Sequence, residues 1–145
     1  MQVENRVYPT PEQITGLRQP APGAPIVMVN LLKYRAKAQY PDGSEPELSG
    51  REAYQRYAVA VEKLVEGVGG RVLYAGAVTS LFLGQVEGLW DEIALAEYPS
   101  RAALLQMVRS PEAQAIAYHR AAGLEGQLNI ETVPSLVALR AGKEA

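Results

Sequence analysis

Ile26-Val27-Met28-Val29-Asn30-Leu31-Leu32-Lys33-Tyr34 opens the part of the chain that decides the fold. Ser49-Gly50-Arg51-Glu52-Ala53-Tyr54-Gln55-Arg56-Tyr57 follows after a polar loop. The first run is almost continuously apolar and rich in β-formers, so it reads as a strand buried on both faces. The second opens a helix. Ser49 stands at the N-cap and Glu52 three residues on, which makes a capping box. Tyr54, Tyr57, Ala58, Val61, Leu64, Val65 and Val68 then recur at helical spacing, with Arg51, Gln55, Arg56, Glu62 and Lys63 on the other side. Gly67 and Gly69-Gly70 end it.

Outward from this pair the pattern continues. Arg71 to Val78 reads as a second strand, and Leu81 to Val86 as its extension or as a short extra strand. Glu87 to Asp91 is a turn, and Glu92 to Tyr98 a third strand. Ser100 caps a helix carrying Leu104, Leu105, Met107 and Val108. Ser110-Pro111-Glu112 starts a second helical piece that runs to about Ala122. Leu128 to Val133 is a last strand. The order β-α-β-β-α-β predicts an α+β, ferredoxin-like domain with an antiparallel four-stranded sheet. Upstream, Thr10-Pro11-Glu12-Gln13 starts a brief capped helix, and a proline-rich stretch from Pro20 to Pro25 links it to the first strand. The expected organisation is therefore 1–24 as helix and linker, 25–133 as the domain and 134–145 as a loose tail.

Composition narrows the function classes. The chain has 145 residues, enough for one domain with its own core. It has no cysteine and one histidine, which excludes disulfides, thiolate nucleophiles and cysteine- or multi-histidine-ligated metal. A net charge of −2 argues against nucleic acid as partner. The apolar runs are strand-sized, far below the roughly 20 residues of a membrane helix. Without a signal-like start, the expected compartment is the cytoplasm. Two helices cover one sheet face and no further large element is left for the other. A second copy packed sheet to sheet is the economical cover, so a homodimer is expected.

Several fragments carry a family resemblance: Val27-Met28-Val29-Asn30-Leu31-Leu32, Ser49 to Tyr57, Trp90-Asp91-Glu92, Tyr98-Pro99-Ser100-Arg101, Ser110 to Ile116 and His119-Arg120-Ala121-Ala122-Gly123-Leu124. Together they resemble the domain-of-unknown-function 1330 family, a branch of the dimeric α/β-barrel superfamily. The resemblance spans roughly Pro25 to Val133. It implies the dimeric α/β barrel and imports no activity. Related branches include cofactor-independent monooxygenases, haem-degrading monooxygenases and small-molecule isomerases or decarboxylases, and the fold shared with them is analogy only.

Six residues are candidates for chemistry. His119, alone in titrating near neutrality, is a general acid/base or a helix-end residue serving the last carbonyls. Asn30 interrupts an apolar strand and needs partners there, whether a ligand or backbone. Alternation along the third strand puts Ala94, Ala96 and Tyr98 under the helices, and Glu97 on the sheet-to-sheet side as an acid/base or rim ion pair. Tyr74, Trp90 and Arg120 are candidate ligand contacts: walls for an apolar or aromatic molecule, and a carboxylate partner. The leading expectation is a small apolar or aromatic molecule held between two sheets, with metal-free acid/base or oxygen chemistry and no cofactor. Two alternatives stand beside it: a haem-binding monooxygenase using Asn30, Trp90 and His119, and a non-catalytic dimeric scaffold. The Arg35–Glu47 loop is long enough to form a lid.

Overall fold

The computed structural model describes Glu4, residues 6–21 and residues 23–135; the tail beyond Ser135 lies outside them. The elements run α1 (Pro11–Leu17), β1 (Ile26–Tyr34), α2 (Gly50–Gly67), β2 (Arg71–Ala77), β3 (Glu92–Tyr98), α3 (Arg101–Arg109), α4 (Pro111–Gly123) and β4 (Leu124–Thr132). The strands form one antiparallel sheet in the order β2-β3-β1-β4. This is the ferredoxin-like arrangement, and within one chain the sheet is open. Thr10 and Ser49 complete their capping boxes, and Ser110 caps α4 while ending α3.

Two expected elements differ. β4 begins at Leu124, four residues early, and pairs Leu124 with Tyr34 across a register shift. The Leu-Glu-Gly-Gln start lacks the alternation that betrays a strand. Leu81 to Val86 forms no strand. The Val78 amide donates to Asp91 O at 2.9 Å, closing a neck, and residues 79–88 beyond it are all exposed.

Register sorts the side chains into faces, because directly opposed residues share one. Val72–Ala96–Met28–Glu131 and Ala77–Glu92–Leu32–Gln127 form rows facing the helices. Tyr74–Leu95–Val29–Ile130 and Gly76–Ile93–Leu31–Leu128 form rows on the open side. β1 is consequently buried on one face only: Ile26, Met28 and Leu32 are buried, while Val27, Val29 and Leu31 keep part of their surface. The two-sided burial expected of β1 is not reached, because the chain's helices cover only one side. The main core joins Ile26, Met28, Val65, Ala96, Tyr98, Leu104 and Met107, with Leu17 and Ala21 packed against it. The N-terminal piece is tied down by Arg101. Its Nη1 donates to Gln19 O and Pro20 O, and its Nε and Nη2 grip Glu131 at 2.6 Å. Among the described residues, no helix is long and apolar enough to cross a membrane.

The first turn of α2 and the end of α4 meet at Gly50 and Gly123. A Cβ on Gly123 would lie 2.8 Å from the Tyr54 amide nitrogen, and one on Gly50 would lie 2.6 Å from Gly123 O. Arg35 threads the crossing, donating its N–H to Gly123 O at 2.9 Å and accepting from the Gly50 N–H at 3.1 Å. The next residues repeat the pattern: Gln39 N–H donates to Ala122 O and Ala38 N–H to Leu48 O. The loop after β1 is thus pinned along its root, with Ala38 and Tyr40 buried against Ala53 and Ala122. Its tip, residues 41–47, is exposed without interruption. Gly123→Ala should cost about 3 kcal/mol, because the atoms it meets are backbone and cannot yield. That is roughly a 10 °C fall in Tm for a domain this size. Gly67→Ala, with nothing within 4 Å, should raise Tm by about 2 °C by restricting the unfolded chain. Differential scanning calorimetry of both variants checks the contrast.

Candidate functional site

Successive residues on α4 point about 100° apart, and His119 and Arg120 use that difference to serve two environments. His119 faces the pinned loop. Its Nδ1 shares a 2.7 Å hydrogen bond with the Tyr40 hydroxyl. The Tyr40 ring stands edge-on to the imidazole, with centroids 5.6 Å apart, and Tyr118 lies against it at 4.0 Å. These rings form one wall of a cavity of about 360 Å³, completed by Pro41, Asp42, Ser44, Glu45 and Arg56. Arg56 on α2 grips Glu45 with both nitrogens, at 2.5 and 2.8 Å. Glu45 holds a left-handed backbone, φ 51°, that few non-glycine residues adopt. Burial, and then the Arg56 charge, hold the His119 pKa below the ordinary histidine value, with Glu45 pulling the other way. The imidazole is therefore neutral at neutral pH.

Arg120 faces the sheet. Its Nη1 donates to Gln127 Oε1 at 3.0 Å, and Gln127 Nε2 donates to Asn30 Oδ1 at 2.8 Å. Asn30 Nδ2 points to Ala94 O and Met28 O at 3.3 and 3.4 Å. The amide that interrupts β1 is thereby satisfied from within, on the helix-facing side. The Arg120 guanidinium also lies over the Tyr8 and Tyr57 rings, 5.4 and 5.8 Å from their centroids.

The other candidates lie apart from both groups. Glu97 sits on the open face, as alternation predicts, and accepts from Arg71 Nε at 3.1 Å within the same chain. Tyr74 stands on that face too, largely exposed. Trp90 is half-buried in the turn before β3. Its neighbour Asp91 accepts from the Tyr34 N–H at 2.8 Å and donates its own N–H to Leu32 O. The six candidates thus do not form one site: Asn30 and Arg120 are joined through Gln127, Glu97 and Tyr74 stand on the open face, and neither Asn30 nor Trp90 lines the cavity beside His119. Tyr40, Glu45, Arg56 and Tyr118 are the site residues the sequence did not single out. A tyrosine inside a polar loop is the one signal that pointed toward them. Among the described residues no group of three His, Asp or Glu side chains is placed to hold a metal ion.

A family model described as "Domain of unknown function (DUF1330)" matches residues 44–132. The chain belongs to the DUF1330 family. A crystal structure of RPA0582, a protein of unknown function from Rhodopseudomonas palustris, aligns at 34% identity over 92% of this chain and 99% of that one, with TM-score 0.81. An uncharacterised NIPSNAP domain protein from Burkholderia xenovorans aligns at 14% identity over 76% of this chain and 94% of that one, TM-score 0.52, and shares the fold. A protein of unknown function from Thermobifida fusca, described as dimeric and ferredoxin-like, aligns at 16% identity over 78% and 93%, TM-score 0.49. No curated protein matches the chain.

For this DUF1330 chain the His119 environment gives a signed prediction. Its imidazole should titrate below the ordinary histidine midpoint of about 6.5. Because folding lowers this pKa, stability present above the unfolded value is lost as pH falls through the folded one. Arg56→Gln removes the repelling charge and leaves Glu45 unopposed, so the midpoint should rise. Histidine ring resonances followed by NMR against pH test both; a lower midpoint in the variant would contradict the electrostatic account.

Proposed function

We propose that this DUF1330 protein binds a small planar, aromatic or apolar molecule in the Tyr40–His119 cavity, and that it does so as a homodimer. The cavity itself carries the ligand reading. Its volume lies within the range of small-molecule sites, its wall is aromatic, and it offers one neutral nitrogen base. Arg56 and Glu45 neutralise each other at its rim and Asp42 adds a further carboxylate, which favours an uncharged or weakly polar ligand over an anion. When the Tyr40 hydroxyl donates to Nδ1, the imidazole proton sits on Nε2. His119 can then donate to a ligand atom through Nε2. In the opposite tautomer it accepts a proton there, which is the equipment of metal-free acid/base catalysis.

Support for the dimer comes from the open face. The rows Tyr74–Leu95–Val29–Ile130 and Ile93–Leu31–Leu128 present apolar surface that no element among the described residues covers, and large apolar patches mark contact surfaces. Sedimentation should show a two-chain species at micromolar concentration.

A thermal-shift screen against aromatic metabolites tests the site. A ligand at 100 times its Kd should add about 2.7 kcal/mol, raising Tm by roughly 5–10 °C. His119→Gln should weaken that ligand about tenfold or more. Glu97→Gln, on the opposite side of the sheet, should leave it unchanged. A ligand that binds the His119 variant as tightly as the parent would remove this site from consideration.

A further inference from the structure

The neck closed by Val78 and Asp91 carries an arm, residues 79–88, that is exposed along its whole length. Phe82 is 99% exposed, Leu83 81%, Leu81 45% and Val86 44%. Phe82 is the chain's single phenylalanine, and it touches almost nothing in its own chain. A run of Leu-Phe-Leu held in water is unfavourable, and its burial elsewhere is what the hydrophobic effect would drive.

We propose that this arm is an intersubunit clamp, and that Leu81, Phe82 and Leu83 dock on a second copy of this chain. The inference rests on the dimer reading above and extends it. Three observations favour a second copy as occupant. The arm continues β2, whose Tyr74 is exposed on the open face, so its apolar surface runs on from the open sheet. Area gives the second argument. Four strands about 4.8 Å apart, with seven paired residues at about 3.3 Å each, present a face on the order of 450 Å². A standard interface takes roughly 800 Å² from each partner, and an arm reaching past the sheet supplies surface that the face lacks. Symmetry doubles the contribution, because in a two-fold pair each copy gives one arm and receives one. Charge supplies the third argument. Residues 78–91 contain no lysine or arginine and carry Glu87 and Asp91, whereas a loop that enters an anionic membrane surface is flanked by cations.

Phe82→Asp tests the clamp without threatening the fold, since the side chain it replaces is 99% exposed among the described residues. Sedimentation equilibrium of the parent and the variant should show the variant's dimer dissociation constant raised about tenfold or more. A parent that stays monomeric would overturn the dimer reading and the clamp with it. A dimeric parent with an equally tight variant would overturn the clamp alone. The absence of cysteine allows a second, independent measurement. Phe82→Cys, labelled with an environment-sensitive fluorophore, should emit to the blue in the dimer and shift to the red as dilution dissociates it. Emission that ignores dilution, or that moves only on adding phosphatidylserine vesicles, would count against a second copy as the occupant.

Discussion

The backbone contact between Gly50 and Gly123 is the constraint on which the rest of the molecule hangs. Two helices can approach this closely only where neither carries a Cβ. The approach frees the Gly123 carbonyl and the Gly50 amide to be bridged by one residue of the loop between them, Arg35. Once Arg35 is fixed, the chain that follows is committed to the groove beside α2 and α4, and Tyr40 arrives buried next to His119. Helix packing thus fixes the Tyr40–His119 wall of the cavity, and the loop supplies Pro41, Asp42, Ser44 and Glu45 from its tip to the rest of the lining. Its root has the rigidity of the helices themselves, which suits a site that must hold an imidazole and a phenol at 2.7 Å.

A single residue step along α4 separates two kinds of polar chemistry. Asn30, Gln127 and Arg120 form a chain in which each group answers the next, between sheet and helices. Such a network keeps an amide in the middle of an apolar strand without leaving it unpaired, and leaves little hydrogen-bonding capacity for a ligand. Around His119 the balance is reversed. Nδ1 is engaged by Tyr40, the neighbouring Arg56 is answered by Glu45, and the cavity lies open beside the imidazole. The contrast explains why a polar residue in an apolar strand is poor evidence of a site, and why a surface histidine beside a ring cluster is better evidence.

Most of the fold was legible in the sequence because its signals are local. The capping boxes at Thr10 and Ser49, the Ser110-Pro111 start and the continuous apolar runs of β1 and β3 each act within a few residues, and all lie where they were read. β4 was read late because its first half is held by pairing with Tyr34 and Lys33 rather than by its own composition. Leu81 to Val86 misled for the converse reason: its apolar content is strand-like, but no neighbouring strand pairs with it. The site was far less legible. Tyr40 and His119 are 79 residues apart, and Asn30 and Gln127 are 97 apart. No spacing rule connects such pairs. His119 could be singled out because a lone histidine is conspicuous, whereas Arg56 looks like any residue on the polar side of an amphipathic helix.

The sheet has two faces, and the chain supplies helices for one. α2 and α4 are drawn together at their glycines, and α3 packs beside the N-terminal segment that Arg101 ties to Glu131. That leaves every helix on the same side, with Val29, Leu31, Ile93 and Leu95 half-covered on the other. A ferredoxin-like chain of this size can remove that surface from water by adding elements or by meeting another chain. Here the segment long enough to fold back, residues 79–88, is exposed throughout rather than packed on its own sheet. It stands outward with its phenylalanine uncovered. The same geometry that completes the core on the helix side thus leaves an apolar sheet and an apolar arm together, and a single symmetric partner would bury both at once.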